Sequence, residues 1–255
     1  MSVVLYEKKG RIAYITLNRP EKLNAISFEV AEELRRIWQE LMDDDNLWVA
    51  VLTGAGESFC AGADLGYIAA GEWKITKSVS MGNNAAGPST CRMWKPVIAA
   101  LKGRVLGAGF WLSLECDIRV AADDTLFGLP EPKVGVPTIV ASLVPRHIPM
   151  AIANELLLLG ESITARRAYE VGLINRVVPP DKLMDEVTAI AEKLCHNAPL
   201  SLRAIRALVR QGNTMDYNAI MALVEHICTP VMNSQDRIEG VTALKEKRKP
   251  VWQGR

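Results

Sequence analysis

The chain has no excess of charge of either sign. Its 30 Lys and Arg side chains nearly cancel its 29 Asp and Glu, leaving a formal net charge of +1. That balance excludes a general electrostatic pull toward nucleic acid or membranes, so an anionic ligand must be caught by a local site. A long hydrophobic run is also missing, and with it a bilayer-spanning segment. The opening "MSVVLYEKKGRIAYITL" lacks the basic start, unbroken apolar stretch and small-residue cleavage site of a signal peptide. Metal-type cysteine pairs are absent as well. Cys60, Cys91, Cys116, Cys195 and Cys228 are scattered and odd in number, which reads as buried free thiols in a reducing cytoplasm. His147, His196 and His226 share no spacing that would clamp a metal, and they read as structural or surface residues.

What remains is ordinary globular material. A chain of 255 residues, 49% hydrophobic and 23% charged, supports one large core or a core with a helical appendage. The first two thirds alternate short strands with helices. "RIAYITL" concentrates β-branched and aromatic residues, while "WVAVLTG", "PVIAALKG" and "IRVAADD" are short apolar runs of the kind buried on both faces. "SFEVAEELRRIWQELMDDD" predicts an amphipathic helix capped by Ser27, with Val30, Leu34, Ile37, Trp38 and Leu41 on one face. After Thr138, helical patterns divided by Pro and Gly take over, beginning with "IVASLVPRHIPMAIANELLLLG". The expected organisation is an α/β core over 1–196 and a helical region over 197–255, with no clean sequence repeat. Residues 66–95 are the least regular stretch and read as a binding loop.

Two clusters of small residues stand out. "FCAGADL" follows the strand "WVAVLTG", and "LGAGF" opens an apparent helix at Gly107, Ala108 and Gly109. Free N–H groups at a helix start carry partial positive charge, and small side chains let a ligand oxygen reach them. Two such groups converging on one point would stabilise an oxyanion. Either cluster also fits tight packing of a helix on a strand. A third feature is Glu131, held between Pro130 and Pro132 in "LPEP". It reads either as a surface turn residue or as a positioned general acid/base.

Resemblance separates these readings. "ITLNRPEKLNAIS", "FCAGADL", "LKGRVLGAGF", "CDIRVAADDTLFGLPEPKVGV", "RAYEVGLINRVVP" and "EGVTALKEKRKPVWQGR" are similar to segments of the crotonase, or enoyl-CoA hydratase/isomerase, superfamily, in the family's order. Among its members, enoyl-CoA hydratases and carnitinyl-CoA dehydratase look nearest. The resemblance implies a spiral of repeated ββα units with a helical C-terminal trimerisation region, giving a homotrimer or homohexamer. It implies an acyl-CoA thioester substrate, coenzyme A being part of that substrate, with no separate cofactor or metal and no nucleic-acid or membrane partner. Its carbonyl would be held by the backbone N–H groups of Ala63 and Ala108. Leu23, Ala25, Ala61 and Ala63 would lie near the adenine, and Lys247 would reach the CoA phosphates from a neighbouring subunit. Trp111, Phe110, Tyr67 and Ile68 would line the acyl pocket.

One position departs from the pattern. Hydratases of this family use two glutamates. Glu131 matches the second, but Trp111 stands where the first would be and can neither take a proton nor activate water. Glu115 shares Trp111's helix face but lies a turn further on, and reads as a structural hydrogen-bond or ion-pair partner. Asp64 reads as a cap for the short helix after "AGAD". The first expectation is hydration or dehydration with Glu131 as the acid/base. The alternatives are a single-carboxylate double-bond isomerase, a pocket shaped by Trp111 for unusual acyl groups, and a non-catalytic CoA-binding structural subunit.

Overall fold

A computed structural model of the chain describes residues 2–64, 66, 86–91, 93–138, 140–212 and 215–255. Strands β1 (Val4–Lys9) and β2 (Ile12–Leu17) form an antiparallel hairpin. Helix α1 (Phe28–Asp43) follows, and Ser27 caps it by accepting the Val30 N–H. The five residues expected on its apolar face are its five buried ones. Strand β3 (Val49–Gly54) runs parallel to β2, and β4 (Val97–Leu101) runs parallel to β3.

From here the chain coils. Strand β4 turns through Gly103 into the short β5 (Arg104–Leu106), which leads into α2 (Ala108–Leu114). Gly103 has φ +54°, and a Cβ there would stand 2.1 Å from the Glu57 carbonyl oxygen of the turn before. No larger residue fits that corner. The chain then re-enters the main sheet as β6 (Ile118–Ala122), parallel to β4, and leaves again as β7 (Leu126–Gly128), parallel to β5. Each turn therefore adds a long strand to one sheet and a short one to a second layer. Single bridges extend that second layer, pairing Cys60 with Val105 and Ile26 with Ala63. The repeat is geometric and leaves little trace in the sequence.

The later elements close the two layers. Helix α3 (Met150–Leu159), the two-residue β8 (Ile163–Thr164), α4 (Ala165–Glu170) and β9 (Arg176–Val178) follow in order. Strand β8 pairs with β7, and β9 completes the six-stranded sheet beside β6. Where the sequence suggests helical pattern from residue 139, the structure has a 3-10 turn, Ala141–Arg146, ahead of α3. Pro145 lies inside that turn and cannot donate a helical N–H.

Side-chain alternation gives the main sheet two apolar faces. Val49, Val51, Ile98, Ala100 and Val120 meet Leu183, Val187, Ile190 and Ala191 of α5 (Leu183–Cys195). Ala50, Leu52, Ala99, Leu101 and Ala121 face the other way, into the core shared with α1 and the second layer. Helices α6 (Pro199–Gly212), α7 (Tyr217–Met232) and α8 (Gln235–Glu246) complete the chain, and the expected 196/197 boundary falls between α5 and α6. Asp117 anchors α6 through Arg206 at 2.7 Å and Arg210 at 3.1 Å. All five cysteines are free, and no helix among the described residues is long and apolar enough to cross a membrane.

Candidate active site

The first backbone donor is set free by a bridge. In the Ile26–Ala63 pairing, the Ile26 N–H donates to the Gly62 carbonyl at 2.8 Å and the Asp64 N–H donates to the Ile26 carbonyl at 3.0 Å. A parallel bridge uses the groups on either side of Ala63, so its own N–H points away from the partner strand. The sequence suggests a helix start here; the liberated N–H instead belongs to extended backbone. Asp64 does accept the Gly66 N–H at 3.0 Å, as a cap would, and its other oxygen takes Arg19 Nη2 at 2.9 Å.

Arg19 and Asn24 shape the adjoining segment. Arg19 also donates to the Ala25 carbonyl at 2.8 Å, while the buried Asn24 amide donates to the Ala55 and Ser58 carbonyls, both at 2.8 Å. The Ala61 N–H meets the Leu23 carbonyl at 2.9 Å, so Leu23, Ala25, Ala61 and Ala63 do come together. Neither Arg19 nor Asn24 was singled out from the sequence. Their signal is "NRPEKLNA", where polar side chains flank a tight turn, Leu23 and Asn24 both having positive φ.

The second donor sits at the start of α2. Gly107 precedes the helix at φ +50°, and its own N–H is taken by the Gly128 carbonyl at 3.0 Å. The Ala108 N–H is in the first turn, where no helical carbonyl can reach it. Gly109 answers for close packing, since a Cβ there would lie 2.5 Å from the Cys60 carbonyl oxygen. Both roles of small residues, ligand access and tight packing, thus occur within three positions. The two donor segments touch: a Cβ on Gly62 would stand 3.7 Å from the Ala108 nitrogen.

Glu131 reaches the same place from the third turn of the spiral. It opens the short 3-10 turn Glu131–Val134, which ends on Gly135 in the left-handed region. Its Oε1 lies 3.2 Å from where a Gly107 Cβ would be, and Oε2 accepts from Thr138 Oγ1 at 3.4 Å. Half-burial pushes its carboxyl above the ordinary range, and hydrogen bonds from its own backbone and Thr138 only partly offset this. A raised carboxyl exchanges protons more readily near neutral pH. An oxygen held by Ala63 and Ala108 would have this carboxylate beside it.

The remaining expected residues divide. Phe110 is fully buried, edge-on to Phe127 with ring centroids 6.4 Å apart. Trp111, the next residue round the helix, is partly buried against the core. Glu115 is 2% exposed, and its Oε2 accepts Ser89 N–H and Oγ–H at 3.0 and 2.9 Å. Burial raises its carboxyl, which the Ser89 bonds, Arg210 and the Trp111 indole N–H counteract. Neither Trp111 Nε1 nor Glu115 Oε1 completes a hydrogen bond of normal geometry among the described residues. Tyr67 and Ile68 lie outside the described residues. Lys247 is exposed at the end of α8, and no contact among the described residues brings it to the Ala63–Ala108–Glu131 group. No three His, Cys, Asp or Glu side chains among the described residues are grouped to hold a metal ion.

Comparison with known proteins places the whole chain in one family. The family model described as enoyl-CoA hydratase/isomerase matches residues 7–255. The chain is 37% identical to (E)-benzylidenesuccinyl-CoA hydratase of Thauera aromatica, covering 98% of this chain and 99% of the relative. It is 38% identical to carnitinyl-CoA dehydratase of Escherichia coli, covering 97% of each. Among solved structures, an enoyl-CoA hydratase from Mycobacterium tuberculosis superposes with a TM-score of 0.92 at 38% identity over 100% of both chains. One from Mycobacterium marinum gives 0.92 at 37% identity, also over 100% of both. Nearly full-length likeness in sequence and in fold makes the chain a member of the enoyl-CoA hydratase/isomerase family, the crotonase superfamily.

Proposed function

We propose that the protein is a hydratase that reversibly adds water to a 2-enoyl-CoA thioester, with Glu131 as its acid/base. The observation that carries this reading is the place of the Glu131 carboxyl beside Gly107, next to the two uncommitted N–H groups. In this scheme the thioester oxygen accepts from Ala63 and Ala108, which stabilise the negative charge of the enolate. The Glu131 carboxylate takes a proton from water as the hydroxide bonds to C3. The resulting carboxylic acid then gives that proton to C2. One water is consumed, Glu131 is restored, and both new bonds form on one face. The names of the similar proteins, three of them hydratases and one a dehydratase, support this direction of chemistry.

In the same reading coenzyme A enters as part of the substrate, and no resident cofactor or metal is needed. Leu23, Ala25 and Ala61 contact the adenine. Trp111 walls the acyl pocket, with Phe110 backing it from the core and Tyr67 and Ile68 belonging to it. Free thiols support a reducing, cytoplasmic setting. The assembly is a homotrimer or homohexamer: α7 buries none of its residues within the chain, while Val209, Tyr217 and Leu244 are 68%, 74% and 80% exposed. Lys247 then meets the CoA phosphates of a neighbouring subunit. Light scattering that gives a monomer at micromolar concentration would remove both statements.

The deciding experiment is product analysis in deuterated water with 2-enoyl-CoA and 3-enoyl-CoA supplied separately. The expected result is a 3-hydroxyacyl-CoA carrying deuterium at C2, formed faster from the 2-enoyl ester. Double-bond migration without water addition would overturn the hydratase reading in favour of isomerisation.

A further inference from the structure

The helix that presents Ala108 leads to a part of the molecule that water addition does not use. A cleft of about 540 Å³ opens beside Trp111, where α2, β6, the 3-10 turn at Ala141–Arg146, α5 and α6 meet. Its apolar wall includes Trp111, Leu114 and Leu143. Its charged wall is one-sided. Arg119, Arg146, Arg206 and Arg210 line it with the His147 ring, against a single carboxylate, Asp117, among the described lining residues.

Most of these guanidinium groups are anchored without being neutralised. Arg206 and Arg210 share Asp117, and each also donates to a backbone carbonyl, of Met93 and Glu115 respectively. Arg119 donates to the Leu173 and Cys116 carbonyls, both at 2.7 Å. Carbonyl oxygens satisfy N–H donors but cancel no full charge. With Asp117 and about half a charge for the C-terminal end of α2 subtracted, the four arginines leave about two and a half positive charges. Arg146 is exposed and makes no hydrogen bond or ion pair among the described residues. The His147 ring registers this field: its pKa is pushed down to about 4, first by burial and then by Arg119, Arg210 and Arg146.

The separation suits one end of a substrate. Along α2, from Ala108 to Leu114, the helix advances about 9 Å. Arg119 and Arg210 stand just past its last turn, where they bond the Cys116 and Glu115 carbonyls. An acyl chain whose thioester oxygen rests on Ala108 would pass Trp111 and bring its tail to these cations. Methylene groups fit the Trp111–Leu143 side, and a planar carboxylate fits a guanidinium fork. We propose that this cleft receives the distal end of the acyl group and selects CoA monothioesters of dicarboxylic acids. The proposal rests on the placement of the thioester oxygen at Ala63 and Ala108 given above.

The test is a calorimetric comparison of two saturated, unreactive esters of equal length, octanoyl-CoA and its ω-carboxylated counterpart suberyl-CoA, on the full-length protein at low salt. Suberyl-CoA should bind about tenfold more tightly, the scale of one charge-assisted hydrogen bond. That preference should shrink in Arg146→Gln, an exposed substitution that breaks no described contact. Equal binding, tighter binding of octanoyl-CoA, or a preference undiminished in Arg146→Gln would each overturn the cleft assignment. Because neither ester reacts, preference for suberyl-CoA in a protein that hydrates no enoyl-CoA would overturn the hydratase reading alone. Failure of both esters to bind would overturn the shared thioester placement.

Discussion

Glu131 and Gly107 pack closely: the carboxylate Oε1 lies 3.2 Å from where a Gly107 Cβ would stand, so a side chain there would press on the acid/base group. Gly107→Ala therefore combines a left-handed backbone strain with displacement of the acid/base group. The carboxylate needs to give by only a few tenths of an ångström, so kcat should fall, but by less than the about 10²-fold that a shift of about 1 Å at a reacting centre can cost. Steady-state kinetics on a variant with a normal circular dichroism spectrum checks this. Unchanged turnover would mean that Glu131 does not work from this position.

Glu131→Gln should lower turnover by about 10²–10⁴-fold while CoA-ester binding persists. The pH profile gives an independent reading. Hydration begins with ionised Glu131, so kcat/KM should decline as pH falls through its pKa, which burial holds above the usual 4.5. Thr138 favours the ionised form through its hydrogen bond, so Thr138→Val should move that acid limb to higher pH. A limb that stays put, or moves lower, would detach Thr138 from the acid/base group.

Trp111→Glu supplies the carboxylate that two-glutamate hydratases have, and should speed hydration of a short 2-enoyl-CoA while slowing any isomerisation of 3-enoyl-CoA. The structure adds a complication, because the new group would lie one helical turn from the buried Glu115. Two close carboxylates resist joint ionisation. Loss of the indole alone costs about 3–5 kcal/mol by analogy with truncation, so thermal melting must precede the assay. Pairing the change with Glu115→Gln removes the like-charge conflict. If the folded double variant binds CoA esters and gains no hydration, Trp111 is a pocket wall and not a vacant glutamate position.

Some of this was legible in the residues and some was not. Helix α1 was, because its apolar spacing and Ser27 cap are local facts. The four segments read as strands, three of them as apolar runs, lie in the six-stranded sheet. Strands β5, β7 and β8 hold only two or three residues, too few for any period to emerge. The freeing of the Ala63 N–H was hidden because it depends on Ile26, a partner distant in the chain. Residue spacing left Glu131 undecided between surface turn and acid/base; family resemblance singled it out, and its meeting with Gly107 is visible only in three dimensions.

Asp117 joins α6 to the end of α2 through two arginines, one of them buried. Asp117→Asn removes their shared counter-charge and leaves Arg206 uncompensated. The expected loss is about 3–5 kcal/mol. Urea unfolding should show a lower midpoint with an unchanged slope. A midpoint within error of the parent's would show that the backbone carbonyls suffice to hold α6.

The spiral has a consequence for how activity is gained and lost. Ala63, Ala108 and Glu131 belong to three successive coils, stacked so that one residue from each faces the same column of space. No contiguous peptide contains the catalytic group, and no coil alone has any of the chemistry. Activity therefore appears late in folding, when the third coil settles on the second, and it vanishes if any one coil detaches.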